Sequence, residues 1–231
     1  MAGFRTHITV STVLGVGVGA AAVQPLGFGT DGAILAAGLT AVGGMLPDLD
    51  SDSGVPIREM FGLAAVVLPL TLIPKLLHLH LSQEAILAVL LFGYIAIRYP
   101  MAHLFKRFTV HRGMFHSVPA MLISGLVVYL GYHSPDVKLR LLLAGGVMAG
   151  FFSHLVLDEV YSVDFRGMKV KLKSSAGTAI KFVSPSMAAT TCCYLILGSL
   201  GYLAWLDYQA ERGPQSNLTA AHTPGPAIKP R

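Results

Sequence analysis

The sequence predicts an all-α, polytopic bundle of transmembrane helices with about seven crossings. Three observations carry that expectation. Hydrophobic residues make up 53% of the 231-residue chain and charged residues only 13%, with a mean hydropathy of +0.62. Several runs approach the ~20 apolar residues that take a helix across hydrocarbon. Between them lie short polar islands rich in His and Asp. So many spanning runs exclude an open sheet, whose edges lipid cannot satisfy. The two cysteines, Cys192 and Cys193, are adjacent inside an apolar run, so no disulfide framework is in play.

Seven runs are read as crossings, at about 8–26, 32–46, 60–77, 83–102, 118–132, 139–157 and 187–206. The first follows Arg5 and ends in Ala20-Ala21-Ala22, a pattern shared with signal peptides. Its Gly15, Gly17 and Gly19 give a small-residue face suited to a neighbouring helix, so it is read as retained. Gly43-Gly44 loosens the second run, and Arg98 and Pro100 end or kink the fourth, which makes these two the weakest spans.

Basic residues set the orientation. Lys106, Arg107 and Arg112 follow the fourth run, and Arg166, Lys169, Lys171, Lys173 and Lys181 follow the sixth. They outweigh Lys75, Lys138 and Arg140 on the other side, which places the N-terminus in the cytoplasm and the C-terminus opposite. The net charge of +5 is accounted for in this way and implies no nucleic-acid partner. Residues 1–208 are read as one transmembrane domain. Within it, 159–186 form a cytoplasmic loop whose alternating basic and apolar residues suggest a short hairpin. Residues 209–231, rich in Pro, Gly, Ala and Thr, are read as a disordered tail.

The parity of the crossings puts four polar islands on the cytoplasmic side. They are His7 before the first run, Asp48-Leu49-Asp50-Ser51-Asp52 after the second, Thr109 to Ser117 after the fourth, and Ser153 to Glu159 closing the sixth. His154 and Asp158, four apart, share a helix face. Taken singly, that pair more often hydrogen-bonds or caps a helix, and the Asp48 island reads as a solvated turn with N-cap candidates. Taken together, the histidines and aspartates suffice for a three-ligand site with an open position, or for two metals. Arg112 suits a phosphoryl group, which a guanidinium binds bidentately. Glu159 or Asp52 suits a general acid or base, or a carboxylate holding a histidine tautomer.

Thr6-His7, Leu46-Pro47-Asp48-Leu49-Asp50-Ser51, His111-Arg112-Gly113-Met114-Phe115-His116-Ser117 and His154-Leu155-Val156-Leu157-Asp158 follow one another in this order among apolar runs. With these motifs the chain resembles, over about residues 1–160, the YdjM-like family of LexA-regulated inner-membrane metal-dependent hydrolases, suggested to be related to zinc-dependent phospholipases C. The resemblance implies metal-ligand roles for His7, Asp48, Asp50, His111, His116, His154 and Asp158. It also implies a bacterial cytoplasmic membrane and one or two divalent ions, zinc first and manganese or magnesium after it. Many relatives continue the HxxxD with a Thr-Pro-Trp-Gly-like turn, where this chain has Glu159-Val160-Tyr161-Ser162.

The expected function is hydrolysis, by a metal-activated water, of phosphoester bonds in a lipid or membrane-associated substrate. A metal or proton transporter is the first alternative, and would carry its ionisable residues on toward the far face. A scaffold with a structural metal site is the second, and would close the site with four protein ligands.

Overall fold

The computed structural model describes residues 3–50, 55–104, 114–166, 169–172, 181–184 and 186–220; at residue 50 and over 163–166, 169–172 and 212–220 only the backbone is described. The helices are α1 Phe4–Val23, α2 Thr30–Gly43, α3 Val55–Thr71, α4 Ile73–His78, α5 Gln83–Ala96, α6 Val118–Gly131, α7 Val137–Ser162 and α8 Met187–Ala220. A 3-10 turn, Pro47–Asp50, follows α2, and a π turn, Ile97–Met101, continues α5. Two four-residue strands, β1 Val163–Arg166 and β2 Lys169–Leu172, pair antiparallel after α7.

Among the described residues, five helical stretches are long and apolar enough to cross a membrane: Phe4–Val23, Val55–His78, Gln83–Leu104, Val137–Ser162 and Met187–Glu211. The two apolar helices below that length are α2 and α6, with 14 residues each. The expectation that the fourth run is among the weakest spans is thus corrected. Pro100 lies inside the π turn, and the helix goes on to Leu104. A one-turn widening is a common way for a helix to accommodate an inserted irregularity. The fifth run is short instead: Ser117 caps α6, its Oγ accepting from Ala120 N at 3.2 Å, and Pro119 occupies the first turn.

Helix α7 is the centre of the bundle. It packs against α1, α2 and α6, and α6 in turn packs against α8. The buried residues of α1 are His7, Ser11, Gly15, Gly19 and Ala22, one stripe at helical spacing. Without a hydrophobic driving force inside lipid, close approach of small residues supplies the contact. A Cβ on Gly15 would meet the carbonyl of Ala37, and one on Gly19 would lie 3.1 Å from that of Ala33. Gly17 faces open space, so the expected three-glycine face reduces to Gly15 and Gly19.

Helices α3 and α5 form a hairpin packed on itself, with Pro69 of α3 against Gly93 of α5. None of the residues of α5 is buried, and Leu87, Leu91 and Phe92 stand exposed. Apolar surface of that extent is expected of a lipid-facing helix rather than one in water. At the start of α7, the buried Arg140 joins three helices. Its guanidinium donates to Asp207 at 2.6 Å, to Glu211 at 2.7 Å and to the carbonyl of Tyr129 at 3.0 Å. These bonds tie α8 to the bundle through Glu211.

Candidate metal centre

At the other end of α7, four chain segments converge. His154 and Asp158 lie on consecutive turns of α7, His7 comes from the start of α1, Asp48 from the turn after α2, and His116 from the approach to α6. The Ser117 cap and the hydrogen bond from Val118 N to the Lys181 carbonyl, 3.0 Å, fix that approach. His7, His154 and Asp158 are 2%, 1% and 3% exposed. The side chains of His116 and Asp48 are more open, at 12% and 18%.

The distances define a small polar chamber. His116 Nε2 lies 3.5 Å and His154 Nε2 3.6 Å from Asp48 Oδ1. Both imidazole nitrogens lie 3.8 Å from Asp158 Oδ2. His7 Nε2 approaches the other oxygen of Asp158, Oδ1, at 3.1 Å. The His7 ring stacks on that of His154 with centroids 3.6 Å apart and planes 14° from parallel. His154 Nδ1 is 2.7 Å from the carbonyl oxygen of Gly44. An oxygen with no proton must accept, so Nδ1 carries the hydrogen and Nε2 presents a lone pair to the chamber.

Separations of 3.5 to 3.8 Å exceed hydrogen-bond length. They are close to the roughly 3.3–3.4 Å that separates donors in a tetrahedral shell with bonds of about 2.0–2.1 Å. Buried His154 Nε2 has no hydrogen-bond partner among the described residues, and neither has His7 Nδ1. Buried polar atoms are almost always satisfied, so a nitrogen left in this way is what a cation would complete. His7, His154 and Asp158 form one group with metal-ligand spacing, and Asp48, His116 and His154 a second. The buried His and Asp side chains could therefore hold a metal ion.

Asp48 lies outside the helical spans. Burial pushes its carboxyl up, but contact with His116 and electrostatic interaction with His154, His116 and His7 outweigh burial and hold it below the ordinary carboxylate value. It is therefore an anionic donor at neutral pH.

The structure thus brings together five of the residues singled out in the sequence: His7, Asp48, His116, His154 and Asp158. Asp50 has its backbone in the same turn as Asp48, but its side chain is outside the description, and Asp52, His111 and Arg112 lie outside the described residues. Glu159 follows Asp158 on α7 with its Oε2 shielded from solvent. His103 lies near Arg58 and Arg98, apart from these residues. Sequence reasoning missed Gly44, whose carbonyl orients His154. Only the Gly43-Gly44 pair hinted at close backbone approach there.

No curated protein and no solved structure matches the chain. A family model described as YdjM inner membrane protein matches residues 1–170, a span that includes all five clustered side chains. By that match over well more than half of its length, the chain belongs to the YdjM inner membrane protein family.

Proposed function

We propose that the chain is a metal-dependent hydrolase of the cytoplasmic membrane, acting on phosphoester bonds of a lipid or other membrane-associated substrate at the cytoplasmic face. The convergence of five ionisable side chains from four chain segments supports this reading. Such groups at the end of a membrane bundle are costly unless they serve a site. The more exposed Asp48 and His116 side leaves an approach for water and substrate, whereas a purely structural site needs none.

Three ligands drawn from Asp48, His116, His154 and Asp158 are proposed to hold the ion and leave its fourth position to water, with zinc preferred for a mixed imidazole and carboxylate set, and manganese or magnesium as alternatives. Both groups of candidate ligands share His154, whose only free nitrogen is Nε2, which favours one ion over two. When bound, the ion supplies a water ionised near neutral pH. His7 holds Asp158 through Oδ1 and stacks on His154, fixing both side chains. Arg112 is the proposed phosphoryl contact, and Glu159 or Asp52 the proposed acid or base. Asp50 and His111, ligands by the resemblance, are the proposed donors to a second ion where two are bound.

The proposed topology has seven crossings, with the N-terminus and the β1–β2 ladder cytoplasmic and the C-terminus opposite. Helices of 14 residues such as α2 and α6 span only about 21 Å, so they cross as short helices covered by α7.

The test is hydrolysis of phospholipids and phosphate monoesters by purified chain in detergent, before and after chelation. Activity that disappears with chelator, returns with zinc and is missing in Asp158→Ala is expected. Activity indifferent to chelation excludes the reading, and metal flux in proteoliposomes would favour a transporter.

A further inference from the structure

A second polar feature lies outside the metal centre. Between the start of α3 and the end of α5 is a cleft of about 520 Å³ lined by Ile57, Arg58, Arg98, Tyr99, Pro100 and His103, among others. The start of α3 packs against the Pro47–Asp50 turn, so the cleft opens at the same end of the bundle as the metal centre.

Its two guanidiniums differ in their partners. Arg58 is exposed and lies against Glu59, 2.9 Å away. Arg98 is half-buried beside Gly62 and near the Tyr99 ring, and it has no carboxylate partner among the described residues. It also sits inside Gln83–Leu104, a stretch otherwise apolar enough to cross a membrane. An arginine with no carboxylate partner among the described residues, set in an otherwise apolar helix, is a placement that an anion would complete. The π turn from Ile97 to Met101 displaces the helix at this point, as such turns often do at functional positions.

The surroundings identify the kind of anion. Tyr99, Met101 and Leu104 are exposed beside the cleft, and α5 below it has no buried residue. A polar headgroup in the cleft would therefore leave its acyl chains against apolar helix surface, which a free ion would not use. We infer that this cleft binds the phosphate of an anionic membrane phospholipid, with Arg98 as the principal contact, Arg58 as the second and Tyr99 and His103 at the rim. A guanidinium matches a phosphate with two parallel N–H donors. This site stands independently of the metal reading; joined to it, the cleft supplies a headgroup position at the face where hydrolysis is proposed.

Native mass spectrometry of the full chain released from mixed phosphatidylglycerol and phosphatidylcholine micelles tests this. Phosphatidylglycerol is expected to stay with the wild-type chain in preference to phosphatidylcholine, and to resist competition by inorganic phosphate. Retention should weaken roughly tenfold in Arg98→Gln, the effect of losing one charge-assisted contact, and partly recover in Arg98→Lys. Arg58→Gln should weaken it less, and Lys75→Gln, at the far end of the hairpin, not at all. Arg58 is exposed, so its variant keeps the test in force if Arg98→Gln does not fold. Unchanged retention in the folded arginine variants, or equal retention of the two lipids, overturns the inference. Displacement by inorganic phosphate assigns the cleft to the free ion and overturns the lipid. Metal content of the same samples should be unchanged in both arginine variants, which separates this result from the fate of the metal centre.

Discussion

His154 Nδ1 lies 2.7 Å from the carbonyl oxygen of Gly44, so the packing of α2 on α7 sets the orientation of a candidate metal ligand. Gly150, one turn before His154, lies against Thr40 and the backbone of Gly44, and a Cβ there would come within 3.0 Å of Gly44 N. The helices would have to separate, taking the carbonyl away from the imidazole.

Gly150→Ala should accordingly destabilise the bundle by about 1–3 kcal/mol, the usual cost of overpacking, and weaken metal retention together with it. Thermal unfolding in detergent and metal analysis on the same sample check this. A stable variant with full metal would show that the orientation of His154 does not depend on this contact.

His7 should behave differently from His154. Its Nε2 reaches Asp158 Oδ1, the oxygen turned away from His116 and His154, so it acts by holding a ligand. His7→Ala should lower metal affinity about 10–100-fold while leaving the stoichiometry intact at saturating metal. His154→Ala should remove the metal altogether. Chelator competition distinguishes these outcomes, and loss of stoichiometric metal in His7→Ala would make His7 a ligand.

Asp48 carries a pH signature. Its carboxyl is held below the ordinary value in the folded chain, so its stabilisation is present above the unfolded pKa and lost as pH falls through the depressed folded value. In metal-free protein, the stability that wild type holds over Asp48→Asn should be lost as pH falls below the ordinary carboxylate value of about 4. A melting series across acid pH measures it, and a difference that persists undiminished at the acid end would contradict the assignment.

At the opposite end of α7, buried Arg140 bonds the half-exposed Asp207 and Glu211 and the carbonyl of Tyr129, and its charge lies 4.1 Å from the centre of the Tyr129 ring. Arg140→Ala should destabilise by roughly 1.5–3 kcal/mol, the usual cost of losing hydrogen bonds between charged groups, without changing the metal bound by protein that remains folded. Arg140→Lys should recover only part of this, because an ammonium cannot serve three directions with a rigid fork.

The positions that the sequence made legible share a simple cause. The i, i+4 spacing of His154 and Asp158 and the alternation of helix direction depend only on chain order, and both pointed to one end of the bundle. What stayed hidden depends on backbone or on distant pairing. Gly44 contributes a carbonyl, which no residue type announces. Arg140 meets Asp207 and Glu211, 67 and 71 residues away. Arg98 and Pro100 looked like a helix end because the sequence does not distinguish a break from a π turn that lets the helix continue. Gly17 looked equivalent to Gly15 and Gly19, but spacing of four puts only the latter two on the face toward α2.

Elemental analysis combined with anomalous scattering from crystals of the purified chain tests the central claim most directly. The account predicts a divalent ion between Asp48, His116, His154 and Asp158, bound in stoichiometric amount and lost in His116→Ala and Asp158→Ala. A chain purified without chelator that carries no metal, or that keeps its metal in both variants, would contradict it.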